Sequence, residues 1–203
     1  MPRTIDYYFW MNSDWAYLGA DRLEQLAARQ GVAIRYMPVD LPAVYARTGG
    51  VTLPNRAPER QAYRIAELER WCKRLAIRIN YTPRFMCPDA GLASRVVIAA
   101  DMTCLRVAAL YKGIIAAEWC EEQDISDAST LRAILLSHGL DADMLLHLAE
   151  TPAVKATYAR YTEAAVAAGV FGSPSYVLDG ELFWGQDRLD FLEEALQGRS
   201  GSC

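Results

Sequence analysis

The stretch that decides the fold is GVFGSPSYVLDGELFWGQDRL, residues 169–189. It contains two short apolar runs, 176–178 and 182–184, whose aromatic and aliphatic residues favour β-strands. Asp179-Gly180 separates the runs, and this dipeptide is the strongest short signal for a hairpin with a left-handed turn. Pro174 lies just before the first run, where a proline fits because it cannot donate to a strand ladder. The stretch therefore predicts a loop, a proline and a hairpin, followed by the last helix.

The N-terminal end of the chain predicts a second piece of sheet. Residues 4–9, TIDYYF, are rich in β-branched and aromatic side chains and indicate a strand. Leucines and alanines then recur at helical spacing as far as Arg29, and Gly31 supplies a stop. Residues 32–39, VAIRYMPV, indicate another strand. A strand, a helix and a strand in such close succession form a right-handed βαβ unit with parallel strands.

The segment between these two pieces is predicted to be mostly helical. Residues 40–58 hold glycines, prolines and small polar residues and predict a long loop, which in a compact domain is usually functional or disordered. The predicted helices are 59–75, 92–120 as one or two helices, 127–137, 141–148 and 151–168, with an extended connector at 77–88 and the last helix at 188–196. Asp127, Asp141 and Pro152 mark three of the helix starts.

These elements predict one α/β architecture, βαβ followed by a helical insertion and then ββα. Residues 1–40 and 169–203 would form one domain around a mixed sheet, ending in a polar tail at 198–203. Residues 41–168 would form an inserted, all-helical domain that covers the sheet as a lid. Ligand sites commonly form where two such units meet, so we expect the site there.

Composition excludes several classes of function. The chain has 203 residues, 52% of them hydrophobic, and a net charge of −4, which gives no reason to expect nucleic acid or a membrane as a partner. The N-terminus lacks a signal-like segment and no apolar run approaches the length of a membrane span, so we expect a cytoplasmic protein. The five cysteines include no Cys-x-x-Cys pair and predict no disulfide framework. With only two histidines, His138 and His147, no metal-ligand spacing exists either.

Ser13 lies between the first strand and the first helix and is the first candidate for chemistry. In one interpretation it is only an N-cap, whose hydroxyl accepts from a free backbone N–H. In the other, the helix N-terminus stabilises an anion and lowers the pKa of a thiol, while the hydroxyl donates a hydrogen bond to the thiolate. Because no cysteine stands at this position, the thiol must come from outside, and glutathione is the obvious donor.

Gln186 and Asp187 open the last helix in a similar way. They are either a solvated glutamine and a capping aspartate, or the residues that hold a γ-glutamyl group. In the second interpretation the helix N-terminus binds the carboxylate and Asp187 accepts from the ammonium. The backbone of Ser173 could then pair with the cysteinyl amide, as an added strand does.

Arginines and aromatic residues supply candidates for a second ligand. Asn55 and Arg56 lie in the long loop, with Arg60 and Arg64 after them, and arginine is suited to bidentate binding of a carboxylate. The alternative for Arg60 and Arg64 is a solvated helix face. An aromatic pocket could be lined by Trp10, Trp15 and Phe85, which are equally compatible with the core.

Over essentially its whole length the chain resembles the 2-hydroxychromene-2-carboxylate isomerases, relatives of the kappa-class glutathione transferases within the DsbA-like thioredoxin fold. The resemblance is carried by 171–174 and 183–189, and also by Tyr8-Phe9, Ser13, Tyr17-Leu18, 34–36, Asp40-Leu41, Asn55-Arg56 and Arg70-Trp71. In that family the proline is cis and faces the active site. Taken alone, Ser173-Pro174 favours an ordinary trans proline, because cis bonds are rare. The flanking pattern reverses that expectation.

The resemblance implies a role for each candidate residue. Ser13 would position and activate the sulfur of glutathione, and the tripeptide would be bound by Ser173, Pro174, Trp184, Gly185, Gln186 and Asp187. An aromatic carboxylate substrate would face Asn55, Arg56 and Phe85. The implied reaction is addition of the glutathione thiolate to a chromene carboxylate, ring opening, rotation and elimination of the thiol, which makes glutathione a recycled nucleophile. The family also implies a homodimer.

Three departures from the family pattern stand out. Asp14 replaces the usual proline after the serine, Trp10-Met11 replaces Asp-Phe, and Phe85 stands where a tyrosine faces the substrate. A carboxylate at Asp14 raises the pKa of the thiol if it points inward, and is neutral or favourable if it faces solvent. Two rival interpretations remain open. One is a kappa-like glutathione transferase acting on other electrophiles, and the other, which Asp14 favours, is a non-catalytic binding protein.

Overall fold

The fold is built around a four-stranded mixed sheet. The computed structural model describes residues 3–198, so Cys203 and the rest of the predicted tail after Gly198 lie outside the described residues. The strands are β1 (Thr4–Phe9), β2 (Ala33–Pro38), β3 (Ser175–Leu178) and β4 (Glu181–Trp184), in the order β2-β1-β3-β4. β1 pairs with β2 in parallel and with β3 in antiparallel orientation, and β3 pairs with β4 in antiparallel orientation. The predicted mixed sheet of a βαβ and a ββα unit is confirmed.

Helices lie between and after the strands in the described part of the chain. They are α1 (Asp14–Gln30), α2 (Leu41–Thr48), α3 (Pro58–Leu75), α4 (Gly91–Met102), α5 (Val107–Glu121), α6 (Ala128–Ser137), α7 (Ala142–Ala149), α8 (Pro152–Ala167) and α9 (Leu189–Leu196). Gly31 ends α1 with a left-handed φ of 64°. Asp127 and Asp141 cap α6 and α7 through their side chains, as the sequence predicts.

The hairpin between β3 and β4 follows directly from its turn residues. Asp179 and Gly180 have φ of 51° and 87°, the left-handed values that a two-residue hairpin turn requires. The turn joins Leu178 to Glu181, which are paired across the two strands.

The prediction of a long loop over 40–58 is wrong. Its first part forms α2, and a short 3-10 helix covers Leu53–Asn55. α2 begins there because the side chain of Asp40 accepts from Ala43 N at 3.1 Å and Pro42 occupies the first turn, where a missing N–H is harmless. The predicted helical region 92–120 divides into α4 and α5 at a turn where Cys104 has a φ of 60°.

The main apolar core joins the sheet to α1 and to the helices α4 to α9. Tyr7 on β1 stacks on Tyr176 of β3, with ring centroids 5.3 Å apart, and Tyr111 of α5 packs against the edge of Tyr7 at 6.0 Å. The division of the chain into a sheet domain and an inserted helical domain stays a prediction. Among residues 3–198 no helix combines the length and the apolar character that a membrane span needs. Cys72, Cys87, Cys104 and Cys120 are free thiols.

Candidate active site

Ser13 and Ser173 meet at the end of the sheet. The Ser13 hydroxyl donates to the Ser173 carbonyl at 3.3 Å and accepts from Ala16 N at 3.2 Å. The Ser173 hydroxyl in turn accepts from Trp10 N at 2.9 Å, and the Ser173–Pro174 peptide bond is cis. Ser13 therefore caps α1 and also links the start of that helix to the backbone ahead of β3. The capping interpretation is correct, and it leaves the hydroxyl proton directed at the residue before the proline.

Two cavities adjoin at this point. An open groove of about 670 Å³ runs along Ser173, Trp184, Gly185, Gln186 and Asp187 on one side and along α3 on the other. A more enclosed cavity of about 280 Å³ extends inward past Ser13. Four residues line both cavities, and these are Trp15, Arg56, Arg64 and Ser173. We call the open cavity the groove and the enclosed one the inner cavity.

Gly185 and Gln186 form the floor of the groove and are held there by hydrogen bonds. Gly185 has a φ of 108°, and a Cβ atom at this position would lie 2.5 Å from Oδ1 of Asp187. Its N–H donates to the Pro174 carbonyl at 2.9 Å, which ties the floor to the proline. Gln186 is not solvated, since only 2% of it is exposed, and its Oε1 accepts from Arg22 at 2.7 Å. Glycine is required at 185 because few side chains tolerate this backbone conformation.

Asp187 and Trp184 lie on the exposed side of the groove. Oδ2 of Asp187 accepts from Arg188 at 2.8 Å, and because the side chain is 41% exposed the carboxylate can also accept from a ligand ammonium. Trp184 is half exposed and packs against Phe171, with ring centroids 4.7 Å apart.

The structure brings Arg56 to the junction but leaves two predicted substrate residues outside it. Arg56 lines both cavities and donates to the Val51 carbonyl at 2.9 Å. Asn55 is exposed, donates to Thr52 at 3.0 Å, and lines neither cavity. Phe85 also lies outside both linings, and its ring packs under the guanidinium of Arg84. Met86 and Cys87, the next residues along the connector, contribute to the inner cavity instead.

Asp14 and Arg64 form a buried ion pair between α1 and α3. Their side chains are 7% and 9% exposed, and Nη2 of Arg64 donates to Oδ2 of Asp14. The other carboxylate oxygen accepts from Trp15 N at 2.7 Å, and the guanidinium lies 5.3 Å from the ring centroid of Trp119. Burial raises the pKa of the Asp14 carboxyl, and Arg64 and the Trp15 N–H oppose that rise. Asp14 thus points inward, but Arg64 balances its charge.

Cys87, which is partly buried, and Glu118, which is fully buried, are a second pair close to the inner cavity. Cys87 N donates to Oε1 of Glu118 at 3.0 Å. Burial raises the pKa of the Cys87 thiol to about 12 and the pKa of the fully buried Glu118 to about 8. Cys87 is therefore an un-ionised wall residue and a poor nucleophile. The sequence patterns predicted neither this pair nor the pairing of Arg64 with Asp14, because both depend on contacts between distant segments.

Comparison with known proteins places the chain in a family. The DsbA-like thioredoxin domain matches residues 4–197. A 2-hydroxychromene-2-carboxylate isomerase from Sphingobium xenophagum is 35% identical over 97% of this chain and 99% of its own length. A solved 2-hydroxychromene-2-carboxylate isomerase structure superposes with a TM-score of 0.83 at 27% identity, over 96% and 94% of the two chains. Glutathione S-transferase kappa 1 from Homo sapiens is 24% identical over 97% of this chain and 92% of its own.

The Sphingobium xenophagum enzyme and the solved structure each match nearly the whole of both chains. The chain belongs to the 2-hydroxychromene-2-carboxylate isomerases, a family of enzymes with the DsbA-like thioredoxin fold.

Proposed function

We propose that this enzyme is a glutathione-dependent isomerase of 2-hydroxychromene-2-carboxylate or a closely related aromatic carboxylate. The observation that carries the proposal is the meeting of Ser13 and Ser173 where the groove adjoins the inner cavity. A thiol at this junction can reach an aromatic molecule in the inner cavity while its peptide part stays in the groove. Relatives named 2-hydroxychromene-2-carboxylate isomerase and glutathione S-transferase kappa support the same pairing of substrate and cofactor.

The groove residues fit the tripeptide. Gln186 and Asp187 offer backbone N–H groups at the start of a 3-10 helix for the γ-glutamyl carboxylate, and the Asp187 side chain offers an acceptor for the ammonium. The backbone of Ser173, next to the cis peptide bond, offers strand-like pairing to the cysteinyl amide. Glutathione supplies a nucleophilic thiolate when bound.

The chain's own residues would prepare that chemistry. The hydroxyl of Ser13 turns from the Ser173 carbonyl to the sulfur, and the N-terminus of α1 stabilises the negative charge. Arg64 keeps Asp14 from opposing this charge, because the pair is neutral as a whole. Arg56 holds the substrate carboxylate at the mouth of the inner cavity, whose volume of about 280 Å³ suits one small ring system.

Substitution of Ser13 tests the assignment. Ser13→Gly removes the hydroxyl but costs a helix cap only a few tenths of a kcal/mol, whereas Ser13→Thr retains the hydroxyl. We expect the rate of chromene carboxylate isomerisation, followed by ultraviolet absorbance, to fall about 10- to 100-fold in the glycine variant, the range for a lost hydrogen bond to a charged group. The threonine variant should keep most of the rate. An unchanged rate in the glycine variant would remove Ser13 from this role.

A kappa-like glutathione transferase is the second candidate, and the match to the human kappa enzyme favours it. Calorimetry with glutathione tests what the two candidates share, since an absence of binding at millimolar concentration would exclude both. Conjugation of 1-chloro-2,4-dinitrobenzene without isomerisation of the chromene would favour the transferase. The proposal also includes a cytoplasmic homodimer, and light scattering of the purified protein tests the dimer.

A further inference from the structure

Asn12 holds an unused hydrogen-bond acceptor in the wall of the inner cavity. It lies in the turn between β1 and α1, is 2% exposed, and lines that cavity. Its Nδ2 donates to the Pro88 carbonyl at 2.6 Å. A carbonyl oxygen can only accept, so this bond fixes the orientation of the amide and directs Oδ1 away from Pro88. Oδ1 is buried and has no donor among the described residues.

The surroundings of Asn12 define the kind of ligand that would supply the donor. Trp10, Leu41, Pro42 and Met86 make much of the wall apolar, which suits an aromatic ring. Of the two arginines in the lining, Arg64 is committed to Asp14, whereas Arg56 makes no ion pair with a carboxylate among residues 3–198. The cavity therefore combines an apolar wall, a cation and a fixed acceptor.

We propose that Oδ1 of Asn12 accepts a hydrogen bond from a hydroxyl group on the aromatic ligand and so selects hydroxylated aromatic carboxylates over their deoxy analogues. The inference rests on the proposed function for the class of ligand, but it concerns binding and requires no turnover. A buried acceptor left without a partner is costly, so a ligand that lacks the hydroxyl should bind about 10- to 100-fold more weakly. Asn12 is then a specificity-determining residue, independent of the sulfur chemistry at Ser13.

The test compares two ligands on the whole protein without glutathione. The probes are trans-benzylidenepyruvate with and without a hydroxyl on the ring carbon next to the side chain, and calorimetry gives the ratio of their dissociation constants. We expect the wild type to prefer the hydroxylated probe about 10- to 100-fold, and Asn12→Leu to bring the ratio close to one. Asn80→Leu is the matched control, because Asn80 donates to Glu122 and lines neither cavity. It should keep the wild-type ratio.

The outcomes separate the inference from the proposed function. A ratio near one in the wild type, or a ratio unchanged in folded Asn12→Leu, would overturn the inference, even if the enzyme isomerises the chromene. A failure of both probes to bind would overturn the inference together with the proposed function. If leucine prevents folding, Asn12→Ala removes the same acceptor without adding methyl groups and carries the same expectation.

Discussion

The buried ion pair between Asp14 and Arg64 gives the sharpest prediction for stability. Both side chains are less than a tenth exposed, so removal of one partner leaves the other as an uncompensated charge in the interior. Such a change costs about 3–5 kcal/mol of unfolding free energy. Arg64→Met also removes the contact with the Trp119 ring at 5.3 Å, whereas Asp14→Asn leaves that contact in place. We therefore expect Asp14→Asn to fall within this range and Arg64→Met to lie at its upper end.

A double-mutant cycle measures the pairing itself. Urea unfolding of the wild type, Asp14→Asn, Arg64→Met and the double variant gives four free energies. The double variant leaves neither charge buried, so it should be more stable than the sum of the single effects predicts, by up to about 3 kcal/mol. Asp143→Asn is the matched control, since it removes the carboxylate of an exposed pair with Arg132 and should leave stability near that of the wild type.

The same variants also test how the ion pair affects the pKa of glutathione at the site. In Arg64→Met the carboxylate of Asp14 stays beside Ser13 without its partner and should raise the pKa of bound glutathione, which the ultraviolet absorbance of the thiolate reports. Asp14→Asn should lower that pKa. If Asp14→Asn is as stable as the wild type, or if the four free energies are additive, the pair is not coupled and the reasoning fails.

Two further predictions concern the groove and a buried acid. Gly185→Ala should lose about 1–3 kcal/mol through its φ of 108° and should weaken glutathione binding by displacing Asp187. Gly180→Ala is the control, because Gly180 has a φ of 87° and no atom lies within 4 Å of its Cβ. It should lose stability in urea unfolding but keep the glutathione affinity that calorimetry measures. An equal loss of glutathione affinity in the two variants would refute the role of Gly185 in binding. Because burial raises the pKa of Glu118 from 4.5 to about 8, the folded state holds this proton more tightly. The stabilisation that comes from this tighter proton binding by Glu118 is complete below pH 4.5 and is lost as the pH rises to about 8. The loss amounts to as much as about 5 kcal/mol of unfolding free energy. The stability of Glu118→Gln relative to the wild type should therefore rise between about pH 5 and about pH 9. Parallel curves of unfolding free energy against pH for the two proteins would contradict this.

The parts of the fold that the sequence predicts are those decided by neighbours along the chain. Asp179-Gly180 specifies its hairpin because two left-handed residues in succession favour that turn over others. Ser13 and Gly31 specify the ends of α1 for the same local reason. The error at 40–58 is local too, because a proline such as Pro42 favours a loop but also fits the first turn of a helix that Asp40 caps.

The candidate site was predictable only in part, since its members come from distant segments. The motif around Ser173 and the position of Ser13 place the serines near the ends of adjacent strands, and their contact follows. No periodicity relates Asp14 to Arg64, which are 50 residues apart, or Asn12 to Pro88, which are 76 apart. Those contacts depend on how α3 and the connector pack against the first turn of α1.

The residues that line the inner cavity come from distant segments of the chain, and this affects substrate specificity. Ser13 and Ser173 lie in the turns next to β1 and β3, whereas Arg64 lies on α3, Met86 in the connector and Trp119 on α5. Substitutions at Met86 should therefore change the choice of aromatic substrate while leaving glutathione affinity intact, because Met86 does not line the groove. Arg64 is the exception, since it lines both cavities and compensates Asp14. An aspartate directly after Ser13 would be compatible with the proposed thiolate site because α3 brings Arg64 to it.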